Sequence, residues 1–136
     1  MTKQPTRLYT AIAGIFLLLQ GTSTLAFRLY PPLDQAFPQL LAVTQMIPPH
    51  SILHIVTGIL ALVVLLKGGE RGSFWFAAGF GLFYVGLGFV GMFTGQPASL
   101  GLQPFDHPIH FLLGGLGLLA VGLVLYRSRR RKKASL

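Results

Sequence analysis

Pro49-His50-Ser51-Ile52-Leu53-His54-Ile55-Val56-Thr57-Gly58-Ile59-Leu60-Ala61-Leu62-Val63-Val64-Leu65-Leu66 is the stretch on which the fold turns. It contains no lysine, arginine, aspartate or glutamate. At about 1.5 Å per helical residue it nearly matches a bilayer core of about 30 Å. In hydrocarbon every backbone polar group must be paired within the segment, so the stretch is read as a transmembrane α-helix. A histidine followed four residues later by glycine, His54 then Gly58, stands near its start. The same pattern returns as His110 and Gly114 in the apolar run 108–126.

Two further runs, 8–27 and 73–94, have the same character, giving four expected spans at 8–27, 49–66, 73–94 and 108–126. Only 10% of the 136 residues are charged and 52% are hydrophobic. Soluble domains carry about a quarter of their residues charged, so this chain lacks the polar surface to face water on every side. The expected architecture is an all-α, polytopic membrane protein. Residues 1–126 form a single four-helix transmembrane domain and 127–136 a basic tail. Cysteine is absent, which excludes disulfides, thiolate metal sites and cysteine nucleophiles.

The net charge of +8 acquires meaning from its placement. Lys3 and Arg7 precede the first span, Lys67 and Arg71 separate the second and third, and six basic residues follow the fourth. Only Arg28 falls on the other side, so ten of eleven share one face. The positive-inside rule then puts both termini in the cytoplasm and all four histidines at the outer face of a bacterial plasma (inner) membrane. Lys3, Arg7, the apolar core and Thr24-Leu25-Ala26 also have the outline of a signal peptide. The apolar stretch runs on to Phe27, and a retained span is the expectation.

Gly14 and Gly21 lie seven apart in the first span, as do Gly81 and Gly88 in the third. Seven residues is close to two helical turns, so each pair shares a face on which a neighbouring backbone can approach closely. With Gly58 and Gly114 in the second and fourth spans, the chain reads as two helical hairpins in parallel repeat. In the first outer loop Asp34 is a candidate N-cap, and 36–47 is expected as a short interfacial helix. The second outer loop, 95–105, carries Pro97, Gly101 and Pro104 and is expected to be irregular.

The segments Pro49-His50-Ser51-Ile52-Leu53-His54-Ile55-Val56-Thr57-Gly58 and Asp106-His107-Pro108-Ile109-His110-Phe111-Leu112-Leu113-Gly114, with the glycine-rich third span between them, resemble a bacterial family of small four-helix membrane proteins, domain of unknown function 4383. The resemblance runs from the first span to the fourth. It implies a four-helix fold and a membrane address, and no activity. That family often carries asparagine three residues before each histidine, where this chain has Ser51 and His107.

Pro48 and Pro49 suit the first turn of the second span. Asp106 is expected as the N-cap of the fourth, with Pro108 just inside. His50 and His54 then share a helix face, and His107 and His110 nearly do. Three readings follow. In the leading one the chain is a non-enzymatic structural or accessory subunit, its histidines acting as interhelical hydrogen-bonding glue, without cofactor. In the second, His50, His54, His107 and His110 with Asp106 bind a transition metal. In the third, His54 and His110 hold a haem or other tetrapyrrole from equivalent helices. Catalysis is disfavoured, because the only acidic residues are Asp34, Glu70 and Asp106 and no serine or threonine nucleophile stands beside a proton-transfer pair of Asp106 with His107 or His110. Ser51, the nearest in pattern, is read as helping to begin the second helix.

Arg127, Arg129, Arg130, Arg131, Lys132 and Lys133 directly follow a span, and are read as anchoring the chain to anionic lipid at the cytoplasmic face rather than binding nucleic acid. Tyr9, Trp75 and Tyr126 match an aromatic belt at that face. A membrane-protein partner or homo-oligomer is compatible with the glycine faces.

Overall fold

The computed structural model describes residues 4–94 and 100–134. It is helical without strands among those residues, with α1 (Pro5–Leu29), α2 (Pro31–Ala36), α3 (Gln39–Thr44), α4 (Pro48–Lys67), α5 (Gly69–Thr94) and α6 (Asp106–Ala134). Helices α1, α4, α5 and α6 are long and apolar enough to cross a membrane. The chain is a multi-pass membrane protein.

Burial follows the logic of a lipid solvent. Thr6, Thr10, Thr24, Ser51 and Ser73 are fully covered, whereas Leu19, Leu66, Leu82 and Phe93 are 64–82% exposed. Hydrocarbon is as apolar as leucine, so large apolar side chains gain nothing by turning inward. Small residues do gain, because they let backbones touch.

The glycines make this concrete. A Cβ on Gly14 would lie 2.9 Å from that of Ala61, and one on Gly58 would lie 2.8 Å from the Leu18 nitrogen and 3.0 Å from the Gly14 oxygen. Gly21 meets the Ser51 oxygen at 2.6 Å in the same sense. Helices α1 and α4 are therefore in backbone contact. Gly81 and Gly114 bring α5 and α6 together likewise, each meeting the other's carbonyl oxygen at 3.0 and 2.7 Å. The two tight pairs, α1 with α4 and α5 with α6, then dock. Helix α1 touches both α5 and α6, and α4 touches α5, whereas α4 and α6 make little direct backbone contact. They lie across the bundle from one another.

Tyr9, Ala13, Leu17, Ala77, Phe80, Tyr84 and Ala120 form the buried centre. Polar links cross it. The Tyr9 hydroxyl donates to the Leu113 carbonyl at 2.8 Å, joining α1 to α6. The hydroxyls of Thr24 and Ser51 lie 2.8 Å apart, joining α1 to α4. Interhelical hydrogen bonds in membranes average about 0.6 kcal/mol and reach about 1.7. A double-mutant cycle of Thr24→Val and Ser51→Ala, read by unfolding in mixed micelles, is expected to give a coupling of about 0.6–1.7 kcal/mol. Zero coupling would remove this pair from the contacts that hold the hairpin.

Three local expectations are corrected. The helix expected over 36–47 is only the short α3, preceded by a separate α2 that ends at Ala36, with the break at Phe37 (φ −138°, ψ 67°). The following Pro38 disfavours the α region for Phe37 and has no N–H to continue the ladder. Asp34 lies inside α2, which is opened by Tyr30 with Pro31 and Pro32 in its first turn, so Asp34 is not an N-cap. Asp106 is not one either. It is the first residue of α6, and its Oδ2 reaches back to accept the Gln103 N–H at 2.7 Å, while its own N–H donates to the Gln103 carbonyl at 2.8 Å.

The long helices overrun the expected spans. Gly68 alone separates α4 from α5, with Gly69 at φ +57° making the reversal. Helix α6 continues through the basic run to Ala134. Of the expected irregular loop, residues 95–99 lie outside the described part, and 100–105 contains no helix. Gly101, at φ +57°, packs on the Ile47 side chain, and Met46 and Leu102 are buried beside that contact. Arg28, the one basic residue at this end, donates from Nε to the Met46 carbonyl at 3.0 Å. The described parts of the two loops thus meet at the histidine end of the bundle.

Candidate metal centre

Helix α4 starts with Pro48 and Pro49, which need no N–H acceptor, and the extended Ile47 accepts from the His50 and Ser51 amides instead. His50 and His54 follow one turn apart on the inward face. Their ring centroids are 4.6 Å apart with the planes nearly perpendicular. His110 reaches the same place from α6, its ring 5.9 Å from that of His50. Each histidine–glycine motif has a mechanical meaning here. Gly58 seats α4 against α1, and Gly114 seats α6 against α5. One turn away His54 and His110 project into the gap between the two helices that do not otherwise meet.

All three imidazoles are buried, at 0%, 2% and 1% exposure for His50, His54 and His110. A nitrogen from each can be chosen so that all lie within 4.8 Å of one another. Neither nitrogen of His50 or His54 has a hydrogen-bond partner among the described residues, and nor does Nδ1 of His110. A buried polar atom without a partner costs about 1–3 kcal/mol. Five of the six nitrogens are thus unpartnered among the described residues, and each ring can turn one nitrogen toward the common volume.

The fourth wall is Tyr84, fully buried on α5. Its ring is edge-on to His110 at 5.0 Å and 6.4 Å from His54, and its buried hydroxyl faces the side chain of Thr57. Phe80 stacks on it at 4.1 Å and Phe76 on Phe80 at 5.1 Å, so an aromatic column holds the phenol in place.

Asp106 and His107 lie near this triad, Asp106 within electrostatic reach of His50 and His107 of His110, but outside the group of atoms within 4.8 Å of one another. His107 lies with its ring against the backbone of Gly91 on α5, where an added Cβ would meet the ring. The Asp106 carboxylate is engaged by Gln103. No family model, no curated protein and no solved structure matches the chain.

Tyr84 was legible only as a polar residue in the third span. Its position between Gly81 and Gly88, on the face those glycines turn toward α6, was the available signal. Ser51, expected merely to help start a helix, is instead the interhelical partner of Thr24. The glue reading required the histidines to hydrogen-bond across helices, and no such bond is found to His50 or His54 among the described residues.

The arrangement also bears on the tetrapyrrole. Axial ligation from two sides of a flat macrocycle needs the space between His54 and His110. Here the His50 ring packs close to both.

Proposed function

We propose that this protein is a membrane-embedded metal-binding protein, holding one late first-row transition-metal ion on His50, His54 and His110. The observation that carries the reading is the set of buried imidazole nitrogens that converge without hydrogen-bond partners. Neutral imidazole suits zinc, copper, iron and nickel, whereas magnesium and calcium require oxygen donors that this triad lacks. Three protein ligands leave room for a fourth, filled by a small exogenous ligand or by the neighbouring phenol of Tyr84. A bound ion there would act as a Lewis acid or an electron carrier. The chain's own part is to hold the imidazoles, to orient them by glycine-seated helices, and to limit water by closing the loops over them.

In this reading the protein lies in the bacterial plasma membrane with both termini in the cytoplasm, and the site is near the outer surface. The distribution of basic residues supports that orientation. The equivalent contacts of Gly14 with Gly58 and of Gly81 with Gly114 support a duplicated hairpin. They also accord with the resemblance to the small four-helix membrane family.

The test is metal analysis of protein purified in mild detergent after equilibration with zinc. One ion per chain is expected, lost on replacing His50, His54 or His110 with alanine and kept in His107→Ala. No stoichiometric metal, or equal loss in His107→Ala, would defeat the assignment. A Soret band in the purified protein would replace it with the tetrapyrrole.

A further inference from the structure

At the opposite end of the bundle a cleft of about 670 Å³ opens between the start of α1, the start of α5 and the extension of α6. Small-molecule sites span about 300–1,000 Å³. Its lining includes Gln4, which precedes α1, Pro5 from α1, Glu70 from α5, and Arg127, Arg131 and Lys132 from α6. The cations are there because α6 does not stop at the end of its apolar run but continues to Ala134. Arg127 and Arg131, four apart, fall on one helical face, and that face looks into the cleft. The basic run is thereby sorted. Arg129, Arg130 and Lys133 are not part of the lining. Arg130 instead lies over the Tyr126 ring, 5.6 Å from its centroid.

The charges in the cleft do not cancel. Among the described residues the guanidinium groups of Arg127 and Arg131 face one carboxylate, and Glu70 Oε2 already accepts the Gln4 side-chain amide at 2.7 Å. The first turns of α1 and α5 point their positive ends at the same volume. Two guanidinium groups match the oxygens of a phosphate group, which they can bind bidentately. The level of the cleft is also informative. Arg127 directly follows Tyr126, and Trp75 lies nearly two turns into α5, both rings more than half exposed. Exposed aromatic rings of this kind mark the headgroup level of a bilayer.

We propose that this cleft is a discrete site for a phosphate group, presented by a membrane phospholipid, and distinct from the diffuse attraction of a basic tail to an anionic surface. The lipid acyl chains then run along the neighbouring apolar faces of α1 and α6, and the phosphate ties the starts of two helices to the end of a third. The site is independent of the metal centre, which lies at the other end.

Native mass spectrometry of the full chain, released from micelles containing phosphatidylglycerol, reads the occupancy directly. The wild type is expected to retain a single phosphatidylglycerol. Arg127→Gln with Arg131→Gln is expected to weaken retention about 30-fold, from about 1 kcal/mol per basic contact. Arg129→Gln with Arg130→Gln removes the same charge and is expected to change it less than about threefold, since those side chains do not line the cleft. All four positions are exposed, and thermal unfolding of each variant verifies that folding is retained. Equal weakening by both pairs, or none by the first, would overturn the discrete site. Inorganic phosphate is the second probe. Its binding without lipid retention would uphold the phosphate site and assign it to a soluble source.

Discussion

In a chelator the variant His54→Leu is expected to outlast the wild type, and with excess zinc the order reverses. His54 is 2% exposed and both its ring nitrogens lack hydrogen-bond partners among the described residues. Leucine has a similar volume and no polar atoms. In the metal-free protein the change therefore removes unpaired buried groups without opening a large cavity. The expected gain in unfolding free energy is about 1–3 kcal/mol. Zinc at about a thousand times its dissociation constant stabilises the wild type by about 4.1 kcal/mol, which exceeds that gain. The variant, with two of three ligands, receives little of it. Unfolding in mixed micelles, with and without zinc, measures both arms. A variant less stable than wild type in chelator would mean that the imidazole makes a contact worth keeping, and the glue reading would regain ground. An unchanged order in zinc would remove the ion.

The second large effect separates two adjacent glycines. A Cβ on Gly114 would lie 2.7 Å from the Gly81 oxygen and 2.7 Å from the Val85 nitrogen, both backbone atoms that cannot swing away. Gly115 has nothing within 4 Å of the same atom. Gly114→Ala forces α5 and α6 apart and is expected to cost about 1–3 kcal/mol. Gly115→Ala faces lipid and is expected to be neutral or to stabilise by about 0.5–1 kcal/mol, as alanine does in place of a helical glycine. Because Gly114 lies one turn from His110, its substitution should also weaken zinc binding, whereas the change at Gly115 should not. Equal tolerance of the two would show that α5 and α6 do not pack through this face.

These contrasts indicate what could be read from the chain alone. The four spans were legible because length and hydropathy suffice where every backbone group must be paired internally. Their inward faces were less so. A soluble helix announces its buried side by apolar periodicity, but in this bundle Leu19, Leu66 and Leu82 point outward and Thr10, Ser51 and Ser73 inward. The paired glycines carried the information instead, and they marked the contact faces at 14, 21, 81 and 88. His50 and His54 could be placed together from their spacing. That His110 would join them depended on how two hairpins dock across the wide diagonal, which no local spacing encodes. His107, equally plausible by spacing, went to Gly91. Between Ala36 and Ile47 the mix of apolar and polar residues favours one helix, and the effect of Pro38 on Phe37 outweighs it. Asp106 carried a cap residue's chemistry, and the chain used it backwards, toward Gln103.

The tight pairing of α1 with α4 gives the bundle a chronology. During synthesis the first hairpin is complete before α5 exists, and it enters the membrane with His50 and His54 already side by side. Their third companion, His110, arrives only with the final helix. An ion that requires all three therefore cannot be captured by a half-made chain. Under the proposed metal-binding function, loading would record that the second hairpin has been inserted and docked, and a metal supplied late would find the site complete.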